Sequence, residues 1–72
     1  SMKDHNAKID KDLVEFRMES LGIASQVDLS EETGLDYQNL NRILNGAPFS
    51  SATLTKLCQT LHCHPAEILS FD

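Results

Sequence analysis

Three glycines and two prolines in 72 residues leave little material for a loop-rich or disordered chain. Long hydrophobic runs are missing too. No stretch approaches the roughly 20 apolar residues that a bilayer-spanning helix needs, and no secretory leader is visible at the N-terminus. The two cysteines are too few for a disulfide framework and read as reduced thiols of a cytosolic protein. Cations are scarce: six Lys and Arg stand against eleven Asp and Glu, for a net charge of −5 and a pI near 4.9. DNA affinity comes largely from basic side chains that neutralise phosphates, so net charge provides no electrostatic footprint for nucleic acid. The chain carries no Gly-rich phosphate loop and no nucleophile with a supporting base. It is also too short to enclose a substrate pocket comfortably, so an enzyme is not expected. The residues Cys58, His62, Cys63 and His64 have the composition of a zinc site. Structural zinc usually draws ligand pairs from separated segments, so no metal or other cofactor is expected and Cys58 reads as a small core residue.

With 40% hydrophobic residues, there is enough apolar material for one small core. A chain of this size buries only about 60% of the surface its unfolded form exposes, so every helix must contribute to that core. The centre of the chain, residues 25–46, reads as two short helices joined by a tight turn. Ser25 followed by Asp28 has the form of a capping box opening a helix over 26–33. Val27 and Leu29 supply apolar contacts, and Ser30 is small where a second helix must approach. Gly34 can take the left-handed conformation that ends the first helix and turns the chain. Asp36 caps a second helix over 36–44. Leu40, Ile43 and Leu44 recur there at i, i+3 and i+4 and define one buried face. Asn45-Gly46 closes it. Helix, Gly-centred turn and helix make a helix-turn-helix.

The flanks complete the domain. Residues 1–7 read as a loose polar arm, with Ser1 ahead of Met2 as an expression-tag remnant. Lys3 and His5 are the arm's candidates for reaching a neighbouring groove. Residues 8–72 form the domain. Ile9, Leu13, Phe16 and Leu21 mark the buried stripe of a first helix over 8–20. The charged residues on its other side, Arg17 among them, read as a solvated face. Gly22 stops the helix and Ile23 enters the core. Phe49 plugs the core beneath the turn at 45–50, and Ser50 or Ser51 caps a helix over 51–62. Leu54, Leu57, Cys58 and Leu61 form that helix's buried face, and Cys63 packs at its end. His64-Pro65-Ala66-Glu67-Ile68-Leu69 reads as a fifth helix, with Pro at its first position.

Two runs carry a family resemblance. Gln26-x-x-Leu29-Ser30-x-x-Thr33-Gly34-Leu35 followed by Leu40-x-x-Ile43-Leu44-Asn45-Gly46 is similar to the helix-turn-helix of the Xre/Cro-repressor family of bacterial and phage regulators. Thr53-Leu54-x-Lys56-Leu57-Cys58-x-x-Leu61-x-Cys63-x-Pro65-x-Glu67-Ile68-Leu69 resembles that family's fourth and fifth helices. The resemblance implies an all-α, compact five-helix, lambda-repressor-like domain that binds double-stranded DNA in transcriptional regulation. On a helical wheel, Gln38, Arg42 and Asn45 fall opposite the buried face of the helix over 36–44, with Asn39 and Asn41 flanking. Amides pair with the edge of adenine and guanidinium with guanine. Four amides on one short helix are poor helix formers, and that local inconsistency points to a binding surface. The resemblance assigns this helix to the major groove. It gives Gln26 a phosphate-contact or helix-bracing role and sets Tyr37, Asn45, Ser50, Ser51 and Thr53 near phosphate. There, exposed N–H groups at the start of the helix over 51–62 favour an anion without any cation. It also suggests a homodimer through Ile68, Leu69 and Phe71, and a cytoplasmic, nucleoid-associated location. The competing expectation is a protein-interaction module, antitoxin-like or regulatory, motivated by Asp28, Glu31, Glu32 and Asp36 against the single Arg42. A third is a domain that binds DNA only within a larger basic complex.

Overall fold

The computed structural model describes residues 7–71. Four helices and a two-stranded sheet enclose one core. In chain order these are β1 (Ala7–Ile9), α1 (Lys11–Leu21), α2 (Gln26–Thr33), α3 (Tyr37–Leu44), α4 (Ser51–Leu61), a 3-10 turn (Pro65–Glu67) and β2 (Leu69–Phe71). The strands pair antiparallel, with Ala7 opposite Phe71, Lys8 opposite Ser70 and Ile9 opposite Leu69. The fold is therefore neither strictly all-α nor five-helical, and Ala7, read as part of the arm, lies in a strand. Lys3 and His5 lie outside the described residues.

Capping side chains set the start of each of the four helices. Asp10, Ser25, Asp36 and Ser50 each accept a hydrogen bond from the backbone N–H three residues on, all at 3.1 Å. Each satisfies one of the donors that a helix start leaves orphaned. Gly34, at φ 75°, ends α2 in the left-handed region. The turn it begins is held by side chains. Thr33 is buried, and its hydroxyl donates to the Leu29 carbonyl (2.7 Å) and accepts from the Leu35 N–H (3.2 Å). The Ser30 hydroxyl donates to the Leu35 carbonyl at 2.6 Å. Ser30 thus bonds across the turn as well as being small.

The core is Ile9, Val14, Met18, Ile23, Leu29, Leu40, Ile43, Leu44, Leu57, Leu61 and Ile68, with Phe49, Leu54, Cys58 and Cys63 packed at its margin. The stripe on α1 differs from the sequence expectation. Val14 and Met18, one turn apart, face inward, whereas Leu13 (38% exposed), Phe16 (66%) and Leu21 (40%) face outward. The cause is Ile9. It is buried, but it precedes the Asp10 cap and belongs to β1, so it cannot set the phase of the helix that follows. Val27 is likewise exposed rather than packed.

The expected fifth helix is a single 3-10 turn, closed by i to i+3 bonds from the Glu67 N–H to the His64 carbonyl (2.9 Å) and the Ile68 N–H to the Pro65 carbonyl (3.1 Å). It stops because Ile68 turns fully into the core and its carbonyl accepts from the Asp10 N–H at 2.8 Å. From there the chain is extended and pairs with β1.

Arg17 ties the two halves of the bundle together. Its Nε and Nη2 donate to the Leu61 carbonyl (3.3 and 3.0 Å), and Nη2 also donates to the His62 carbonyl (2.7 Å). Nη1 lies 3.9 Å from Glu67 Oε1. A helix C-terminus presents unsatisfied carbonyls and partial negative charge, which a guanidinium fork matches. Arg17 is therefore not part of a solvated charged face.

Candidate nucleic-acid interface

Helix α3 separates sharply into two sides. Leu40, Ile43 and Leu44 are buried, as their spacing requires. Gln38, Asn41, Arg42 and Asn45 are exposed, Asn39 is half-buried, and Tyr37 is 45% exposed at the start of the helix. The outward side chains are fixed relative to one another. Arg42 Nη2 donates to Asn39 Oδ1 at 3.0 Å, one turn away, which holds the guanidinium along the helix surface. Asn45 Nδ2 donates to the Asn41 carbonyl at 2.7 Å. Gln26, in the first turn of α2, donates from Nε2 to Asn41 Oδ1 at 3.1 Å. That bond spans the two helices of the motif and fixes which face of the Asn41 amide remains open. Of the two roles weighed for Gln26, this contact is the bracing one.

The second part of the candidate interface is the start of α4. Ser50 Oγ accepts from the Thr53 N–H at 3.1 Å and lies 3.1 Å from Thr53 Oγ1. Ser51 is exposed at the first helical position. Asn39, Ile43, Pro48, Phe49, Ser50 and Thr53 line one shallow depression of about 400 Å3 between α3 and this helix start. The expected site residues Asn39, Ser50 and Thr53 thus meet around one hollow. Tyr37, Gln38 and Ser51 lie outside its lining. Pro48 and Phe49 belong to it and were missing from the expected set. The sequence signal was the Ala47-Pro48-Phe49 run, in which Pro blocks helix continuation and leaves the ring to wall the gap.

Arg42 is the one cation on α3, and the first turn of α4 carries none. The donors that this helix start offers are therefore backbone N–H groups and hydroxyls. Among the described residues no three His, Cys, Asp or Glu side chains gather as a metal site, and no helix is long and apolar enough to cross a membrane.

A Gly-turned pair of helices, with the second presenting an amide and guanidinium face beside an open helix start, defines a helix-turn-helix DNA-binding domain. The model of the Cro/C1-type HTH DNA-binding domain matches residues 17–72, and the chain belongs to that family. The Xre/Cro resemblance is thereby confirmed. No curated protein and no solved structure matches the chain.

Proposed function

We propose that this DNA-binding domain recognises a specific duplex sequence, with α3 in the major groove and the start of α4 against the adjacent phosphates. The observation that carries this reading is the outward side of α3. Gln38, Asn39, Asn41 and Arg42 form a hydrogen-bonding edge with one cation; Gln26 donates to Asn41 and Arg42 donates to Asn39, which fixes these side chains relative to one another. Gln38 and Asn41 suit adenine and Arg42 suits guanine. Tyr37, Asn45, Ser50, Ser51 and Thr53 hold phosphate from either side. Such a regulator works in the cytoplasm, at the nucleoid.

The expected dimer contact is narrower than the sequence suggested. Ile68 is buried in its own core and Leu69 is half-buried, which leaves Phe71, 64% exposed, as the principal apolar side chain at that end.

Selection of bound duplexes from a random pool at low salt tests the reading. One enriched motif is expected, with affinity for it falling only several-fold from about 50 to 200 mM salt, because Arg42 is the one cation on α3 and neutral donors at the start of α4 release few counterions. A two-fold symmetric motif would establish two copies on one site. No enrichment from a folded sample would overturn specific reading. The interaction-module reading keeps one specific observation in its favour: α2 exposes Glu31 and Glu32 without a cation on that helix. On that reading no duplex would be enriched, and a partner facing these carboxylates would be cationic.

A further inference from the structure

The end of α4 brings the chain's two thiols together. His62, a non-glycine residue at φ 52°, turns the backbone into the left-handed region. The N–H groups of His62 and Cys63 both return to the Cys58 carbonyl, the latter at 3.1 Å. In this kind of helix ending, the residue after the left-handed one packs its side chain back on the last helical turn. Here those two residues are Cys63 and Cys58. A 3.1 Å bond from the nitrogen of one to the oxygen of the other limits the separation of their Cα atoms. Adding the covalent reach to each Cα gives at most about 7 Å, and less along any bent path. Disulfides span Cα separations of about 4.4–6.8 Å. Both thiols are free and half-buried, and both line an open groove of about 570 Å3 between α4 and the 3-10 turn. A small oxidant can therefore reach sulfurs that the backbone already holds as neighbours.

We propose that Cys58 and Cys63 form a reversible intramolecular disulfide site, oxidised by low-molecular-weight disulfides. Nothing in DNA recognition uses these thiols, which lie at the opposite end of α4 from Ser50 and Thr53. Cys63 reacts first. Burial holds both thiols above their ordinary value; at Cys63 the hydrogen bond with Cys58 and then the Arg17 guanidinium offset part of that rise, whereas Cys58 is pushed up to about 11 by burial and by the neighbouring Cys63 thiol. The Cys63 thiolate attacks one sulfur of the small disulfide, forms a mixed disulfide and releases one small thiolate. Cys58 then loses its proton to solvent and attacks the Cys63 sulfur, releasing the second small thiolate. The protein loses two protons and two electrons, and the small disulfide is reduced to two thiols.

The test uses the full chain. The reduced protein is incubated with excess glutathione disulfide at pH 8, quenched with an alkylating agent under denaturing conditions, and weighed by mass spectrometry. The expected product is a monomer lighter than the reduced protein by two hydrogen atoms, without alkyl groups, and returned to the doubly alkylated form by prior treatment with dithiothreitol. Cys58→Ser should instead trap the mixed disulfide on Cys63. A wild-type product that is doubly alkylated, carries glutathione on both sulfurs, or is cross-linked between chains would overturn the proposal. The wild-type measurement stands whether or not the variant folds.

Discussion

Arg42 carries the heaviest assignment of any single residue. Its guanidinium is held by Asn39 at 3.0 Å on the outward side of α3, so its loss removes the bond that orients Asn39 and, on the proposed reading, a base partner as well. Arg42→Ala should weaken binding to a selected duplex by about 5- to 150-fold while leaving the melting temperature nearly unchanged, since a bidentate Arg–guanine pair contributes about 1–3 kcal/mol of discrimination. Titration of the selected site by fluorescence anisotropy reads this, and near-unchanged affinity would refute the assignment. Gln26→Ala should act more gently, loosening Asn41 and relaxing specificity at one base position more than it lowers affinity. Repeating the duplex selection with that variant would show it. Arg17 belongs to stability instead. Arg17→Ala leaves the Leu61 and His62 carbonyls without their donor and should cost about 1.5–3 kcal/mol, the range for hydrogen bonds to charged groups. Arg17→Lys should recover only part of this, because an ammonium cannot reproduce the fork. Urea unfolding of the two variants separates these outcomes. The sequence concealed this role. Arg17 sits among Lys11, Asp12, Glu15 and Glu19, and its partners are backbone carbonyls 44 and 45 residues away.

At the scale of elements, α2, the turn and α3 were legible because each signal there is local. Ser25, Gly34 and Asp36 act within four residues of where they stand, and the spacing of Leu40, Ile43 and Leu44 is a property of α3 alone. Where the outcome depended on remote pairing, the sequence misled. Ala7–Ile9 has no strand pattern of its own and becomes a strand only because Leu69–Phe71 lies opposite. That pairing took Ile9 away from α1 and shortened the expected fifth helix to one turn. On the interface, the amide face of α3 was readable from a wheel, whereas the hollow it shares with Pro48, Phe49 and Ser50 depended on how α4 packs. Gly34→Ala measures how far the turn depends on glycine. A Cβ there meets nothing within 4 Å, so the cost is backbone strain alone, about 1–2 kcal/mol. A larger loss by thermal unfolding would mean that the turn itself had moved.

For the whole molecule, the acidic balance decides how binding and folding respond to solvent. A net charge of −5 repels duplex at long range, so added salt weakens the attraction at the interface and screens the repulsion elsewhere. The measured salt slope should therefore be shallower than a count of phosphate contacts alone would give. Alkali acts on folding through both thiols, which burial raises; Cys58 goes furthest, from 9.0 to about 11 in the folded protein. Between those values the unfolded chain has released this proton and the folded protein still holds it, so stability falls as pH rises from 9 towards 11. Cys58→Ala should flatten that decline in urea unfolding measured at stepped pH.

The β1–β2 pair also determines how the domain bears load. Ala7 and Phe71 face each other at the outer end of the ladder, and the inner end closes at Ile9 and Leu69. A force applied through the two chain ends therefore peels the ladder one pair at a time, rather than shearing all its bonds together. Pulled apart by residues 7 and 71, the domain should open from this zipper at low tension, and α1, with the Arg17 fork behind it, would be the next element to take the strain.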